Sequence, residues 1–215
     1  VINPDDRIAE FGADSMRIYE MFMGPLEVSK PWSTSGISGV HRFLDRVWRL
    51  CEKEISDTDP PEHLIKVLHR TIKKVTEDTA SMAFNTAIAQ MMIYVNENFK
   101  EELLYRKVFE PFVLLLAPYA PHLAEEIWER LGREPSVSRQ EWPEWIEEYT
   151  LEDEVTVVVQ INGKVRSKIE LPAGTEKGEM ERKALEIDRI RELLDGKTVR
   201  KVITVPDKLV NIVAG

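Results

Sequence analysis

The stretch 112–132, FVLLLAPYAPHLAEEIWERLG, decides the architecture of the chain. Its first six residues form an unbroken apolar run. Pro118 and Pro121 follow, and a proline cannot continue a helix interior without the loss of a backbone hydrogen bond. Beyond the prolines, apolar residues recur at helical spacing as far as Leu131, and Gly132 can cap the end. The stretch predicts a helix buried nearly all round, a proline corner and a second, amphipathic helix packed against the first.

No constellation of catalytic or metal-ligating residues stands out in the sequence. His122, directly after the proline corner, is the one tempting position, but a histidine near a helix N-terminus more commonly makes a local hydrogen bond than binds a metal. The sequence shows no convincing nucleophile–base pair, metal cluster or phosphate-binding loop. It therefore predicts no catalytic residue, no metal site and no cofactor for these residues, and a free-standing enzyme is the weakest of the functions considered.

Composition describes a globular protein with an acidic body. Of the 215 residues, 43% are hydrophobic and 31% are charged, and no apolar run is long enough to span a membrane. A single cysteine, Cys51, excludes an intrachain disulfide and suits a reducing compartment. The net charge is −9, yet residues 152–215 hold twelve basic and twelve acidic residues. Any contact with a polyanion must therefore use local basic patches.

Helical periodicity dominates the first two thirds of the chain. Two short helices are expected before residue 26, and residues 26–39, with two glycines and several serines, are expected to form a loop. Five amphipathic segments with short connections are typical of an antiparallel bundle. The expected bundle helices are 40–54, a segment around 64–75, 79–99, 101–117 and 122–131.

The first bundle helix carries a basic stripe beside its apolar stripe. The basic residues recur at steps of four, three and four and are Arg42, Arg46, Arg49 and Lys53. Asp45 and Glu52 offer local ion-pair partners, so a solvated face is one interpretation. The next helix repeats the pattern with Lys66, Arg70 and Lys73, and two such stripes in an acidic protein favour a surface that follows a phosphate backbone. Both interpretations remain open at this point.

Residues 133–153 break the helical pattern. The segment contains prolines, an acidic run and the pair Trp142 and Trp145, and we expect a tether whose tryptophans pack against the bundle. Beyond it the period changes from 3.6 to 2. This change predicts a β-hairpin in EVTVVVQINGKVRSKIELP, residues 154–172.

The turn of this hairpin allows two registers. A two-residue Asn162-Gly163 turn pairs valines with cations on one face, whereas a three-residue loop 161–163 gathers most valines on one face. Because a shift of one residue exchanges the buried and exposed faces, we expect the three-residue loop. It predicts an exposed basic row formed by Lys164, Arg166 and Lys168.

The last forty residues predict a helix and two more strands. Thr175 can begin a helix that runs to about Leu194, bent or broken near residues 187–188, and TVRKVITV and KLVNIVA are typical of strands. Arg200 and Lys201 add to the positive side. The predicted fold is mainly α: an antiparallel bundle of about five helices followed by a small α+β domain of order ββαββ.

Four regions, in order, resemble the class I leucyl-tRNA synthetases. The stretch 112–132 resembles a signature that the leucyl, isoleucyl and valyl enzymes share. FGADSMRIYEMFMGPLE is similar to the segment after their Lys-Met-Ser-Lys-Ser loop, and WSTSGISGVHRFLDRVWRL to the entry of their anticodon-binding-type domain. VVVQINGKVRSKIELP and VRKVITVPDKLVNIVAG resemble the C-terminal domain of the bacterial leucyl enzyme, which ends differently from the isoleucyl and valyl enzymes.

The resemblance implies the C-terminal portion of such an enzyme. The His-Ile-Gly-His motif, the Lys-Met-Ser-Lys-Ser loop and the editing insertion are absent from these residues, and the chain begins without Met. We therefore expect a fragment, or part of a split enzyme's second subunit, that alone neither activates leucine nor edits. The whole enzyme, a cytoplasmic ligase, attaches leucine to its tRNA with ATP and Mg. This chain would dock leucine tRNA for the catalytic core, in cis or as a separate subunit, without any membrane role.

The resemblance also implies a division of the chain and a set of RNA contacts. We expect connecting helices over 1–36, the helical bundle over 37–133, the tether over 134–152 and a small tRNA-binding domain over 153–215. The candidate tRNA-binding residues are Arg42, Arg46, Arg49, Lys164, Arg166, Lys168, Arg200 and Lys201. The alternative function is an acidic helical protein-interaction module without an RNA role, which the net charge favours and the clustering of basic residues opposes.

Overall fold

The computed structural model describes residues 3–25, 27–29, 31–151 and 154–215. Residues 26 and 30 of the expected loop, and residues 152 and 153 at the expected domain boundary, lie outside the described residues. The described chain divides into two compact units, and the division falls between Thr150 and Leu151. The predicted fold class, a helical bundle followed by a small α+β region, is confirmed.

The first unit is built from helices. They are α1 (Pro4–Phe11), α2 (Ala13–Phe22), α3 (Thr34–Leu50), α4 (Glu62–Ala80), α5 (Phe84–Phe99), α6 (Arg106–Leu116) and α7 (Pro121–Arg130). Two short strands, β1 (Ile55–Ser56) and β2 (Leu104–Tyr105), pair in parallel, and 3₁₀ turns follow at Val137–Arg139 and Glu147–Thr150. No described helix is long and apolar enough to cross a membrane.

The proline corner forms as predicted between α6 and α7. Phe112 is fully buried and stacks on Tyr94 of α5, with 4.3 Å between the ring centroids. Beyond the corner, α7 begins with Pro121, the position where a missing backbone N–H costs nothing. The predicted hydrogen bond of His122 near a helix N-terminus is confirmed, and its partner is Asp14 of α2, at 2.8 Å between Nδ1 and Oδ1.

Asp14 ties the second helix to the corner. Its Oδ2 accepts a hydrogen bond from the Leu123 backbone N–H at 2.8 Å, so a side chain from α2 satisfies one of the free donors at the start of α7. Asp14 is only 8% exposed. A buried carboxylate at a helix N-terminus is favoured by the helix dipole as well as by its hydrogen bonds.

Several helix boundaries differ from the prediction. The expected helix 40–54 ends at Leu50, and the expected helix 101–117 begins only at Arg106, because residues 104–105 form β2. Residues 34–39 were expected to be loop, but α3 begins at Thr34, because the Ser33 side chain caps the helix by accepting a hydrogen bond from Gly36 N. The expected helix 79–99 is also shorter. Residues 79–80 belong to α4, and Met82, with a φ of 59°, turns the chain before α5.

The second unit is a four-stranded sheet with two helices on one face. Its elements are β3 (Glu154–Ile161), β4 (Lys164–Pro172), α8 (Lys177–Glu186), α9 (Asp188–Leu194), β5 (Val199–Val205) and β6 (Leu209–Ala214). The strand order is β4-β3-β6-β5, with β3 and β6 parallel and the two hairpins antiparallel. The predicted break of the helix at Ile187 is confirmed. Met180, Ala184 and Ile190 of the helices pack against buried residues of β3 and β6.

The expected three-residue hairpin loop is wrong. Asn162 and Gly163 both have positive φ, 51° and 76°, and form a two-residue turn in which Ile161 pairs with Lys164. The register then shifts by one residue, because Val159 pairs with Ser167 and Gln160 with Val165. Arg166 is the extra residue of this β-bulge. The bulge, in place of a longer loop, thus brings Ile169 and Leu171 of β4 opposite Val157 and Val155.

Gly36 allows the close approach of α2 and α3. The packing of these two helices can be tested by substituting glycines of α3 with alanine. A Cβ at Gly36 would lie 3.0 Å from Cε2 of Tyr19, a ring that is 3% exposed and whose hydroxyl accepts a hydrogen bond from Ser33 N. A Cβ at Gly39, in the same helix, would meet only the Arg42 guanidinium at 3.9 Å. We expect Gly36→Ala to lower the free energy of unfolding by about 1–2 kcal/mol and Gly39→Ala to raise it by up to about 1 kcal/mol, measured by urea denaturation. Equal effects of the two substitutions would contradict this packing.

Candidate nucleic-acid interface

Many of the described cations of the helical unit form ion pairs with carboxylates. The ion pairs include Lys74–Asp78 at 2.7 Å, Arg106–Asp57 at 2.6 Å, Arg133–Glu110 at 2.6 Å and Lys66–Glu62 at 2.9 Å. The hydrogen bonds that Arg106 and Arg133 donate to these carboxylates raise the pKa of both arginines above the ordinary arginine value. Paired cations of this kind have little charge left for a polyanion, so the basic residues that lack such partners matter most.

Arg42 and Arg49 are two of the cations of the helical unit that lack such a carboxylate partner. Both are exposed on α3, seven residues and thus two turns apart, and neither forms an ion pair with a carboxylate of the described residues. The local pairing with Asp45 and Glu52 that the sequence allowed is therefore not formed in this structure. Their guanidinium groups remain available for bidentate contacts to phosphates.

The side chains of Arg46 and Lys53 pack against α5. The Arg46 guanidinium lies over the Phe99 ring of α5, 4.7 Å from its centroid, and the Lys53 ammonium lies 5.1 Å from the same centroid. Lys53 also donates to the backbone oxygens of Asn98 and Glu101, at the C-terminus of α5, where cations are favoured. Burial lowers the pKa of Lys53, although it is a donor in these bonds. Of the predicted stripe, Arg42 and Arg49 are thus the best-exposed members.

A further arginine reaches this area from α7. The Arg130 guanidinium lies 5.1 Å from the centroid of the Trp48 ring, on α3. Arg130 is exposed, and it was not identified from the sequence because it is about eighty residues away from α3 along the chain. No pattern within a single helix could have indicated it.

The sheet of the second unit brings several of the candidate basic residues to one end. The Asn162-Gly163 turn, the end of β6 and the start of β5 lie together there, because β3 and β6 are parallel and β5 is antiparallel to β6. Lys164 follows the turn directly, and Arg200 and Lys201 lie at the start of β5. The topology therefore brings together residues 36 positions apart in sequence.

Arg166 and Arg200 hold equivalent positions on the two edge strands. Each is the extra residue of a β-bulge: Arg166 on β4, and Arg200 on β5, where Val199 pairs with Ala214 but Lys201 with Val213. Bulges at sheet edges redirect side chains and are common near functional sites. Nε of Arg166 is buried and has no hydrogen-bond partner among the described residues.

The predicted basic row along β4 is not formed as a single row. Lys164 pairs with Ile161 and Lys168 with Val158, and residues an odd number apart on β3 point to opposite faces of the sheet. Lys168 therefore lies on the face away from the helices, apart from Lys164. That face also carries aliphatic residues, of which Val165 is 57% exposed, Ile203 43% and Val205 41%.

Asn162 holds the basic end of the sheet together. Its side-chain amide donates to the Ala214 backbone oxygen at 2.8 Å, and its Oδ1 accepts from the Ala214 N–H at 3.0 Å. Gly163 N donates to Oδ1 of Asn211 at 3.0 Å. The turn is thus joined to β6 by side chains, and the positions of Lys164 and of the β5 cations are coupled through it.

Metal-ligating and nucleophilic side chains are the other groups of interest in the part of the chain that the structure describes. No group of three or more metal-ligating side chains is present among these residues. Cys51 is buried, and burial raises the pKa of its thiol to about 11, so it is protonated at neutral pH and a poor nucleophile. The chemistry of the candidate interface is that of exposed arginines and lysines.

Comparison with protein families decides the class of this domain. Residues 62–181, more than half of the chain, match the model of the anticodon-binding domain of tRNA ligases. The chain belongs to this family. The matched residues run from α4 into α8, across the division between the two units, and they include Lys164, Arg166 and Lys168 but not the cations of α3 or β5.

Individual relatives are leucine–tRNA ligases. The chain is 53% identical over 214 residues to the leucine–tRNA ligase of Borreliella burgdorferi (strain ZS7) and 51% identical to that of Borreliella afzelii (strain PKo). Each match covers 99% of this chain and 26% of the relative, so the chain spans about a quarter of the length of these proteins. One similar solved structure is a crystal structure of the ternary complex of Agrobacterium radiobacter K84 LeuRS, tRNA and LeuAMS. The match covers 100% of this chain and 30% of that LeuRS chain, with a TM-score of 0.76 and 28% sequence identity.

The role of Asn162 in this anticodon-binding family member can be tested directly. Asn162→Ala removes both bonds to Ala214 and places a residue with a Cβ at φ 51° without side-chain compensation, whereas Asn162→Gly removes the bonds but tolerates that φ. We expect both variants to lose hydrogen-exchange protection at the Ala214 amide. The free energy of unfolding of the second unit should fall by about 1–3 kcal/mol, more for alanine than for glycine. Unchanged protection of the Ala214 amide in both variants would show that the side chain does not join the turn to β6.

Proposed function

We propose that this chain is the tRNA-docking part of a leucyl-tRNA synthetase, and that it binds and positions leucine tRNA while the activation and editing sites lie elsewhere in the enzyme. The observation that carries the proposal is the match of the full chain to a LeuRS whose crystal structure includes tRNA, together with 53% identity to a leucine–tRNA ligase. The reaction of the whole enzyme would join leucine to tRNA at the expense of ATP, with Mg. These substrates and the ion would belong to the catalytic core, either in the same chain or as a separate subunit.

The distribution of charge supports RNA docking. The chain carries a net charge of −9, which repels polyanions as a whole. Against this background, the exposed Arg42 and Arg49 of α3 and the basic end of the sheet are local sites for phosphates. Such contacts would position the RNA, and recognition of leucine tRNA would rest on shape and on unpaired bases.

We propose the full set of contacts that the sequence suggested, with an order of importance taken from the geometry. Six residues rank first because they are exposed and form no ion pair with described residues: Arg42, Arg49, Lys164, Lys168, Arg200 and Lys201. Arg46 ranks lower, since its guanidinium is packed on Phe99. Arg166, whose Nε is buried, completes the set. A tRNA-charging role would place the protein in the cytoplasm, where a free buried thiol is stable.

The domain organisation follows the same proposal. We propose connecting helices over 1–36, the bundle over 37–133, a connecting segment over 134–152 and a C-terminal tRNA-binding domain over 153–215. Helix α3 begins at Thr34, so the first of these boundaries falls within its first turn.

A second function, protein binding, is favoured by one observation. The open face of the sheet exposes Val165, Ile203 and Val205, and exposed aliphatic patches are typical of protein-interaction surfaces. An acidic bundle with such an appendage would bind a protein partner without any RNA.

Paired substitutions at the two ends of the sheet distinguish these functions. We expect the double substitution Lys164→Ala with Arg166→Ala to weaken binding of leucine tRNA roughly tenfold and to reduce the salt slope by about one per lost phosphate contact, measured by fluorescence anisotropy at two salt concentrations. The matched control is Lys177→Ala with Lys208→Ala, which removes the same charge near the opposite end of the sheet.

The control pair should leave affinity and slope nearly unchanged. Circular dichroism of each variant checks that the second unit remains folded. Equal losses in the two pairs would indicate a general charge effect, and unchanged binding in a folded Lys164→Ala, Arg166→Ala variant would remove this end of the sheet from the interface. No binding by the unsubstituted chain at low salt would favour the protein-interaction function.

A further inference from the structure

The segment that follows Trp145 lies along α4 and touches the second basic stripe identified in the sequence. We define this strap as residues 146–150. Its backbone N–H at Ile146 donates to Nδ1 of His69 at 3.1 Å, and the Tyr149 ring stacks on the same imidazole, with 5.2 Å between centroids. One turn further along α4, Lys73 forms an ion pair with Glu147 at 2.6 Å.

Glu147 is the centre of the strap. Its Oε1 accepts from Lys73, and its Oε2 accepts from the Trp145 indole N–H at 3.0 Å. These hydrogen bonds, led by that from Lys73, lower the pKa of Glu147, so it is fully ionised at neutral pH. A carboxylate in this position offers Lys73 the same kind of charged oxygen acceptor as an RNA phosphate.

The strap is attached by few apolar contacts. Ile146 is 53% exposed, and the ion pair lies at the surface, where such pairs contribute little net stability. Trp145 packs against the core of the unit and the Trp142 indole N–H donates to Thr76 at 2.7 Å, so the chain is anchored just before the strap. Segments held by a few exposed polar contacts open at low free-energy cost.

We propose that the strap is a reversible acidic latch. In the absence of RNA, Glu147 forms the ion pair with Lys73, and an RNA phosphate displaces Glu147 when RNA binds. This inference rests on the proposed RNA-docking function and adds Lys73 to its surface. Release removes two acidic side chains, Glu147 and Glu148, from the path of the RNA. It also adds five residues, about 17 Å when extended, to the connection that precedes the second unit.

The neutral form of His69 is part of the latch. Its Nδ1 can accept the Ile146 N–H only when it is unprotonated, and burial lowers the pKa of His69 below its ordinary value of 6.5. The charged groups on the neighbouring turns of α4 are Lys66, Arg70 and Lys73, and the strap contributes Glu147 and Glu148. The docked state therefore binds fewer protons than the released state. The stabilisation that His69 gives to the docked state is complete above about pH 6.5, and it is lost as the pH falls below that value.

The RNA-independent test is hydrogen exchange at the Ile146 amide. We expect its protection factor to fall between pH 7.5 and pH 5.5, and to be low at both pH values in His69→Phe, which keeps a ring for Tyr149 but has no acceptor. His63→Phe is the matched control, because His63 lies on the same helix and faces Glu101 instead of the strap. Equal pH dependence in His69→Phe and the unsubstituted chain would overturn the latch.

The RNA test compares two neighbouring glutamates that differ in one contact. Glu147→Gln and Glu148→Gln change the net charge equally, but only Glu147 forms an ion pair with Lys73. We expect Glu147→Gln to bind leucine tRNA about two- to fivefold more tightly than Glu148→Gln, and the added substitution Lys73→Gln to remove that difference. Leucine tRNA should also lower the Ile146 protection factor in the unsubstituted chain.

Two negative results are distinguishable. If the unsubstituted chain binds leucine tRNA but the two glutamine variants bind it equally, the displacement of Glu147 is wrong and the docking function stands. If no variant binds leucine tRNA, both the docking function and the displacement are wrong, and the pH dependence of the Ile146 amide alone decides whether the strap is a latch.

Discussion

The burial of α6 is the constraint on which the helical unit depends. Phe112, Val113, Leu115 and Leu116 are all fully buried, and each such side chain contributes about 1.5–3 kcal/mol when it leaves water. A helix that is apolar on nearly every side must be covered by other helices. The proline corner then returns the chain as α7, and α7 begins beside α2 because Asp14 accepts from the Leu123 backbone N–H and forms a hydrogen bond with the His122 ring. The arrangement of α3, and with it of Arg42 and Arg49, follows from this packing.

The sequence predicted the elements that depend on local periodicity. The prediction failed where a contact between residues far apart in sequence determines the local structure. The proline corner, the helical bundle and the break near Ile187 are all encoded by spacing within one segment. The start of α3 at Thr34 was missed because Ser33 caps a helix whose first turn contains glycine, and Gly36 is required by the Tyr19 ring of another helix. The hairpin was mispredicted because two solutions bury the same valines, and a bulge at Arg166 is not visible in the alternation.

The candidate interface also combines residues that the sequence could identify with contacts between distant residues that it could not predict. Exposed arginines at helical spacing on α3 could be identified from the sequence, but whether they were paired could not, since Asp45 and Glu52 are equally well spaced. In the second unit, the sequence indicated Lys164 and Arg200 separately. Only the parallel pairing of β3 with β6 shows that both lie at one end of the sheet. Lys73 is a further case, because its partner Glu147 is 74 residues away.

The net negative charge of the chain is compatible with its proposed role because some of its cations are exposed and not paired with carboxylates. Many cations of the helical unit form ion pairs with carboxylates, and exposed cations without such partners form small sites on an otherwise repulsive surface. Such a surface disfavours nonspecific polyanion binding and leaves the correct RNA to be selected by shape. The most direct test is a titration of the chain with leucine tRNA and with an unrelated tRNA at two salt concentrations. The account predicts salt-sensitive binding that is tighter for leucine tRNA, and absence of binding to either RNA at low salt would contradict it.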